Sequence, residues 1–321
     1  MTPKTKFELK AGPATREAFG RALVELGREN KDIVVCDADL SKSTMTVYFQ
    51  KEFPERFFSF GIAEANMVAA GAGMALAGKI PFVSSFSAFV MNKGFEQLRA
   101  CVAYPHVNVK VVGTHSGISI GEDGPSQMSI EEISLACSLA GFVVLAPADE
   151  ASTKALVRQA AAYVGPVFIR CGRVKAPLIY SGNESFQIGK AVQVVEGSDV
   201  TIVADGLLVA QAILAAEMLE GEGISARVLD MHTVKPLDRA AIQKAAQETG
   251  AMVVAEEHLV DCGLGVRVAQ VVAETHPCPM EFVGIHNTYA ESGQPDELLE
   301  KYGLVARDVK AAVHNVLARK R

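Results

Sequence analysis

The stretch Phe58–Gly78, FSFGIAEANMVAAGAGMALAG, places a single carboxylate, Glu64, at the head of a run without charge. Residues 65–78 are rich in alanine, which favours a helix, and the run is too short to cross a bilayer. A helix that is apolar on every side packs in the middle of a protein or in a tight subunit interface. We therefore expect a partly buried Glu64 at a helix start, either as a functional acid or as an acid favoured by the helix dipole.

Short β-rich runs alternate with helical patterns on both sides of this stretch. Strands are expected at residues 33–36, 57–60, 80–84, 107–114, 143–146, 167–170, 200–204, 226–230, 252–256 and 280–284. Strands that alternate with helices form parallel sheets covered by helices on both faces. The fold class is therefore α/β, with two domains that are each a mostly parallel sheet flanked by helices.

A change of composition divides the chain. Pro177, Gly182 and Asn183 fall in a segment with little helical periodicity, which is typical of a linker. We expect a first domain over residues 1–172, a linker over 173–187 and a second domain over 188–321.

The composition excludes several classes of protein. The 321 residues are 49% hydrophobic and carry a net charge of −6 without a long basic block, which argues against nucleic acid as a partner. The six cysteines form no CxxC pair, which favours reduced thiols in a cytoplasmic protein over a disulfide frame or a zinc site. The N-terminal residues lack an apolar signal core and no segment is long enough to span a membrane, so we expect no membrane association.

A glycine-containing loop, Gly117–Gly124, follows the strand that ends beside His115. The loop lacks the spacing of a nucleotide-binding motif, and its acids Glu122 and Asp123 would repel phosphate. It is more consistent with contacts to hydroxyl groups or to another subunit. A histidine at the carboxyl end of a parallel strand is well placed to face a ligand, although most lone histidines are structural.

Four polar residues and two aromatic residues complete the candidates. Arg16 and Arg173 are by default surface salt-bridge partners, but together with Ser43 and His115 they would bind a phosphate if the fold brought them together. Phe86 and Phe89 are by default core residues, and the functional alternative is a stacking surface for a flat ring.

Several segments in order together resemble the transketolase family over essentially the whole chain. They are Ala14–Arg16, Asp37–Leu40, Gly61–Glu64, Pro81–Phe89, Thr114–His115, Gly121–Pro125, Ala255–His258 and Gly263–Gly265. The resemblance implies a pyrimidine-binding domain for thiamine diphosphate followed by the family's C-terminal domain.

The resemblance also implies roles for residues. Glu64 matches the acid that hydrogen-bonds the aminopyrimidine ring and favours its imino tautomer, whose nitrogen takes the proton from the thiazolium ring. Phe86 and Phe89 match the aromatic pocket of the pyrimidine. Asp39 matches an acid near the cofactor at the subunit interface. His115, the second catalytic candidate, matches a residue near the donor's reacting hydroxyl groups and its phosphate.

The substrate-binding positions follow in the same way. Arg16, Ser43 and Arg173 match residues that hold the sugar phosphate, and Asp123 matches an acid that binds a sugar hydroxyl. Gln127 stands where many transketolases have a histidine, and an amide can hydrogen-bond but cannot shuttle a proton near neutral pH.

The chain has neither the GDG motif nor the asparagine pair with which full-length transketolases hold the diphosphate. The resemblance therefore implies the C-terminal subunit of a split transketolase, inactive alone. Its partner would be an N-terminal subunit that carries GDG and holds most of the Mg²⁺ coordination, in an α2β2 assembly. No metal site is expected on this chain.

The implied activity is transfer of a two-carbon ketol unit from a ketose phosphate to an aldose or aldose phosphate. Two alternatives remain within related enzymes, a deoxyxylulose-phosphate-synthase-like enzyme and the β-type subunit of a 2-oxo-acid dehydrogenase. A third alternative is a non-catalytic regulatory subunit that keeps the fold.

Overall fold

The computed structural model describes residues 9–320. The polar N-terminal lead at residues 1–8 and Arg321 lie outside the described residues. The strands are β1 (Ala11–Ala14), β2 (Ile33–Asp37), β3 (Phe57–Ser59), β4 (Ile80–Phe86), β5 (Lys110–Thr114), β6 (Val143–Leu145), β7 (Val167–Arg170), β8 (Lys175–Pro177), β9 (Val192–Val195), β10 (Val200–Ala204), β11 (Ala226–Asp230), β12 (Thr233–Lys235), β13 (Met252–Leu259) and β14 (Met280–Ile285).

The helices lie between these strands, with short 3-10 turns at Pro54–Arg56 and Ile118–Ile120 and a π-helical segment at Leu98–Ala103. The α-helices are α1 (Thr15–Glu29), α2 (Ser41–Thr44), α3 (Val47–Glu52), α4 (Glu64–Leu76), α5 (Ser87–Lys93), α6 (Phe95–Gln97), α7 (Glu132–Ser138), α8 (Glu150–Ala162), α9 (Leu208–Glu220), α10 (Arg239–Thr249), α11 (Leu264–Thr275), α12 (Pro295–Lys301) and α13 (Ala306–Arg319).

The larger sheet has the strand order β12-β6-β7-β5-β4-β2-β3. Its strands run parallel except for the edge strand β12, which pairs antiparallel with β6. The central strands β2, β5 and β7 are buried along their whole length, as expected for a parallel sheet covered on both faces.

The second sheet has the order β14-β13-β10-β11-β9, and only β9 runs antiparallel to its neighbour. The two sheets confirm the expected α/β class with two mostly parallel sheets. A two-stranded antiparallel pair, β1 with β8, accompanies them, and β8 falls inside the segment expected to be a linker. The exact domain boundaries at 172 and 188 stay a prediction.

The first helix begins later than its pattern predicts. The helical pattern opens at Pro13, whereas α1 begins at Thr15 because Pro13 and Ala14 belong to β1. The β1–β8 pairing brings the start of the chain against the end of the first domain, and the backbone N–H of Gly172 donates to the Thr15 hydroxyl at 2.7 Å. Arg16 is thereby placed beside the carboxyl edge of the larger sheet.

Helix α4 is buried on one face only. Met67, Val68 and Ala72 pack in the core, and Gly71 lies so close to β4 that an added Cβ would stand 2.6 Å from a methyl carbon of Val83. The other face is exposed, and Leu76 at its end is 77% exposed. One face of the helix is therefore packed in the core of this chain. The other face is left on the surface, where it could pack in a subunit interface.

The hydrophobic core is continuous across the two sheets, since one cluster joins Val144 and Phe168 of the first to Val203, Leu229 and Met231 near the second. Within residues 9–320 no helix is both long and apolar enough to cross a membrane. All six cysteines are free thiols.

Candidate active site

The candidate residues gather where three neighbouring strands of the larger sheet end. Strand β4 lies between β2 and β5, so their carboxyl ends share one edge. Phe86 is the last residue of β4, His115 follows β5, Asp39 follows β2, and Glu64 begins α4 after β3. The carboxyl edge of a parallel sheet is where α/β proteins bind ligands.

Glu64 is a buried acid with an unused oxygen. Its side chain is 2% exposed, and its Oε1 atom is buried without a hydrogen-bond partner in the described chain. The other oxygen, Oε2, lies 3.9 Å from the ammonium group of Lys93. A buried carboxyl oxygen without a partner is costly. The unused oxygen is therefore available to a ligand that supplies a hydrogen-bond donor.

A stack of rings continues from Lys93 into the site. The Lys93 ammonium lies 4.6 Å from the centroid of Phe89, and Phe89 stacks on Phe86 at 5.5 Å with an interplanar angle of 16°. Phe86 in turn stacks on the imidazole of His115 at 3.8 Å. Phe86 is buried and already stacks on two rings, whereas Phe89 is half-buried, so a role for this pair against a flat ring stays a prediction.

His115 is held as one tautomer of the neutral imidazole. Its Nε2 lies 3.1 Å from the Nη1 of Arg16, which can only donate, so Nε2 accepts. The proton therefore sits on Nδ1 and is donated to the hydroxyl of Thr114 at 2.9 Å. Burial, followed by the positive charges of Arg16 and Arg173, lowers the pKa of His115 to about 3. The ring is neutral at physiological pH, and its backbone has a left-handed φ of 58°.

Two arginines act on this histidine through their charges. Arg16 donates to the backbone carbonyl of Ser43 at 2.7 Å, while its buried Nε has no partner in the described chain. Burial, with the positive charge of Arg173 as the next cause, lowers the pKa of Arg16. Guanidinium groups with an unused donor are chemically suited to binding an anion, so the phosphate-binding role expected for Arg16 and Arg173 stays a prediction.

Arg173 is held by the glycine-containing loop. Its Nη1 donates to the carboxylate of Glu122 at 2.8 Å and, in a short hydrogen bond, to the backbone carbonyl of Ile120. The side chain is one-third exposed, so its remaining donors can reach a ligand.

A continuous series of contacts thus joins most of the predicted residues. In order, the series runs Glu64, Lys93, Phe89, Phe86, His115, Arg16 and Ser43. Four predicted residues lie outside it: Asp39, Asp123, Gln127 and Arg173. Asp39 and Asp123 are exposed, and Gln127 accepts a short hydrogen bond from the neighbouring Ser126 hydroxyl.

Sequence reasoning missed two residues of the site. Asp37 is fully buried and accepts from the backbone of Leu40 at 2.6 Å and from the hydroxyls of Thr44 and Thr46, so it shapes the loop that presents Ser43. Burial raises its pKa, and the hydroxyl donors oppose that rise. Lys93 is the other. Asp37 stands in the same motif as Asp39 and could have been chosen from its position at the end of an apolar strand, whereas nothing in the sequence connects Lys93 to Glu64.

Comparisons with known proteins agree with this geometry. The family descriptions of the transketolase pyrimidine-binding domain and C-terminal domain match residues 11–177 and 189–309. A protein of Methanocaldococcus jannaschii described as a transketolase C-terminal section is 44% identical over 292 residues, which are 90% of this chain and 92% of that protein. A 6-deoxy-6-sulfo-D-fructose transketolase subunit of Clostridium sp. MSTE9 is 42% identical over 305 residues, which are 95% of each chain.

A solved structure supports the same assignment. A split-gene transketolase described as an inactive β4 tetramer shares 50% sequence identity and superposes with a TM-score of 0.91 over 97% of this chain and 100% of that one. The resemblance inferred from the ordered motifs is thereby confirmed. The chain belongs to the transketolase family, in which it corresponds to the C-terminal section of a split transketolase.

Proposed function

We propose that this chain is the C-terminal subunit of a transketolase that uses thiamine diphosphate to transfer a two-carbon ketol unit from a ketose phosphate to an aldose or aldose phosphate. It acts with a separate N-terminal chain that carries a GDG motif and binds the diphosphate. The single observation that carries the proposal is the buried Oε1 of Glu64, which has no hydrogen-bond partner among residues 9–320 and lies at the start of α4 beside the stacked rings.

The residues present fit the pyrimidine end of thiamine diphosphate. A ring nitrogen would satisfy the unused oxygen of Glu64, and Phe86 and Phe89 would cover the ring. The bound cofactor supplies a nucleophilic carbon and an electron sink for cleavage of a carbon–carbon bond. Glu64 holds or shares the proton on the ring nitrogen, which is why a carboxyl rather than an amide is required there. Asp39, two residues beyond the end of β2 at this edge, would act near the cofactor at the subunit interface.

The anion end of the site would bind the sugar. Arg16 and Arg173 hold the terminal phosphate, with the Ser43 region completing the pocket, because guanidinium groups pair with tetrahedral oxyanions in two-point contacts. Once the anion pairs with Arg16, the Nε2 of neutral His115 is released to accept a hydrogen bond from a substrate hydroxyl. Asp123 and Gln127 bind further hydroxyl groups of the sugar.

The identity of the terminal anion of the donor determines which sugars the enzyme can use. The relative named as a sulfofructose transketolase subunit indicates that this family also processes ketoses ending in a sulfonate. Two arginines fit a sulfonate as well as a phosphate. We assign the phosphate, and a panel of xylulose 5-phosphate, fructose 6-phosphate and 6-deoxy-6-sulfofructose compared by kcat/KM tests that assignment.

The assembly follows from the same family. We propose two copies of this chain with two copies of the N-terminal subunit, related by two-fold symmetry. The exposed apolar side chains Ile62 and Leu76 at the two ends of the α4 region support burial of this surface in the assembly. Mg²⁺ is assigned mainly to the N-terminal subunit because its ligands include the diphosphate oxygens held there. The free thiols are consistent with a cytoplasmic protein.

Replacement of Glu64 tests the proposal. In a mixture with the N-terminal subunit, thiamine diphosphate and Mg²⁺, Glu64→Ala should lower the turnover of xylulose 5-phosphate with ribose 5-phosphate by about 100-fold or more while the subunits still assemble. Glu96→Ala, which removes an exposed acid of α6, is the matched control and should retain full turnover. A Glu64→Ala enzyme as active as this control would overturn the assignment, and a complex without turnover in the unchanged protein would favour a regulatory subunit.

A further inference from the structure

The glycine-containing loop rests against the second domain at three points. A Cβ added at Gly117 would lie 2.1 Å from the carboxyl carbon of Glu257, and one added at Gly124 would lie 2.4 Å from the Ser292 hydroxyl. Gly121 lies against Pro295 in the same way, at 3.0 Å. All three glycines have positive φ, so only glycine gives the loop this path.

Close to Gly117, a hydrogen bond also joins the loop to the second domain. The carboxylate of Glu257, on β13, accepts from the backbone N–H of Ser119 at 2.7 Å. Glu257 is almost fully buried, and Arg170 fixes it by donating to its backbone carbonyl at 2.9 Å and approaching its other carboxylate oxygen at 3.4 Å. Arg170 is itself fixed by Glu132, whose Oε1 accepts from its Nε at 2.6 Å. The acceptor that faces Ser119 is therefore rigidly placed.

The Ser119 N–H belongs to the turn that holds Arg173. Ile120 is the last residue of this 3-10 turn, and its carbonyl accepts from the Arg173 guanidinium, which also binds Glu122 just beyond the turn. The position of the turn thus sets the position of the guanidinium, which acts on His115 and Arg16 through its charge. One buried carboxylate of the second domain is connected to the anion end of the site through two hydrogen bonds.

We propose that Glu257 is a positioning residue for substrate binding, which fixes the turn Ile118–Ile120 and through it the anion-binding guanidinium of Arg173. The inference rests on the proposed function for the identity of the ligand, a ketose phosphate. In this role Glu257, a residue of the second domain, affects substrate binding without touching the substrate.

The neighbouring acid of the same strand provides a matched control. Glu256 is equally buried but accepts from the backbone N–H groups of Leu264 and Gly265, at the start of α11. It therefore stabilises the second domain without holding the turn. A structural effect on the domain should appear in variants of both acids, whereas an effect on the turn should appear only in variants of Glu257.

Hydrogen exchange measured on the full chain tests the mechanical link without any activity. Glu257→Ala should raise the exchange rate of the backbone amides of residues 118–122 by about tenfold or more, because the hydrogen bond from the Ser119 N–H is lost. Glu257→Gln keeps a carbonyl oxygen toward Ser119 and should stay near the wild-type rate, as should Glu256→Gln. Gly117→Ala, which pushes the turn away from an intact Glu257, should reproduce the effect of Glu257→Ala even if the latter folds poorly.

Kinetics of the reconstituted enzyme test the consequence for the site. Glu257→Ala and Gly117→Ala should raise KM for the ketose phosphate by about tenfold with a smaller change in kcat and unchanged affinity for thiamine diphosphate. Unchanged exchange in both variants, or an equal rise in KM in Glu256→Gln, would overturn the inference. If the unchanged enzyme transferred no ketol unit, the proposed function would fail, and the exchange data alone would still decide the role of Glu257 in holding the turn.

Discussion

Replacing Arg170 by methionine removes a buried cation that pairs with an acid of each domain. Arg170 is 5% exposed and binds Glu132 and Glu257, which are themselves buried. Methionine fills a similar length but leaves two buried carboxylates without their partner. Breaking a buried ion pair in this way costs about 3–5 kcal/mol, and at about 2–3 °C per kcal/mol the melting temperature should fall by about 6–15 °C.

A matched variant separates burial from charge. Arg158 binds Glu29 at 2.8 Å and Glu25 at 2.9 Å, but its side chain is 39% exposed. Exposed pairs contribute about 0–1 kcal/mol because water screens them, so Arg158→Met should lower the melting temperature by only about 0–3 °C. Differential scanning calorimetry of both variants in the same buffer measures the contrast.

The pH dependence of the Arg170→Met variant adds a second readout. Burial raises the pKa of Asp205 to about 7 and also raises that of Glu257, and the nearby Arg170 opposes both rises. Without Arg170 the native state holds protons on these carboxyls to higher pH, and a raised carboxyl pKa means that stability is lost as pH increases toward it. The destabilisation should therefore be larger at pH 8 than at pH 6. Equal shifts for Arg170→Met and Arg158→Met, or a shift independent of pH, would refute the reasoning.

Three further predictions concern single groups. Asp230 accepts from the Tyr180 hydroxyl at 2.6 Å, and burial raises the pKa of Asp230 to about 8. The wild type should therefore lose stability relative to Asp230→Asn as the pH rises from about 4 to 8. A difference in melting temperature between the two proteins that does not grow over this range would contradict the account. The imidazole of His115 should stay neutral from pH 5 to pH 8, and a ¹⁵N resonance titrating near pH 6.5 would show otherwise. Leu76→Asp should dissociate the assembly in analytical ultracentrifugation, whereas Val164→Asp, at an equally exposed site on another surface, should not; an intact Leu76→Asp assembly would exclude this face as an interface.

Ten of the fourteen strands in the described residues were predictable because their apolar runs are continuous and bounded by turn residues, whereas β1, β8, β9 and β12 were not predicted. The edge pairings were not predictable. β12 has three residues, and its partner β6 lies about ninety positions earlier, so no local pattern indicates that it closes the first sheet. The β1–β8 pair is hidden for the same reason, since it joins the start of the chain to a segment that looks like a linker.

The candidate site likewise contains residues that the sequence indicates and contacts that it does not. Glu64 was predictable because a lone acid at the head of an uncharged run is conspicuous, and Phe86 and His115 because each stands at the end of an apolar strand. The role of Ser43 as a hydroxyl donor stays a prediction. The contact that the structure shows is made by its backbone carbonyl, which no side-chain pattern in the sequence indicates. The part played by Lys93 depends on the packing of two helices.

The buried ion pairs between the two domains were predictable from the sequence only in part. Arg170 ends the apolar run of β7, and a charged residue there indicates a buried partner. The identity of that partner could not be predicted from the sequence, because Glu257 lies on the other sheet. Sequence patterns of this length indicate which residues are buried, whereas long-range pairing of polar groups follows from the relative position of the two domains.

The most direct test of the central claim is ketol transfer measured with this chain alone, with the N-terminal subunit alone, and with both chains at equal concentration. Each reaction contains thiamine diphosphate, Mg²⁺, xylulose 5-phosphate and ribose 5-phosphate. The account predicts turnover only in the mixture. Turnover by this chain alone, or a mixture that assembles and binds the cofactor but transfers no ketol unit from any ketose phosphate or sulfonate, would contradict it.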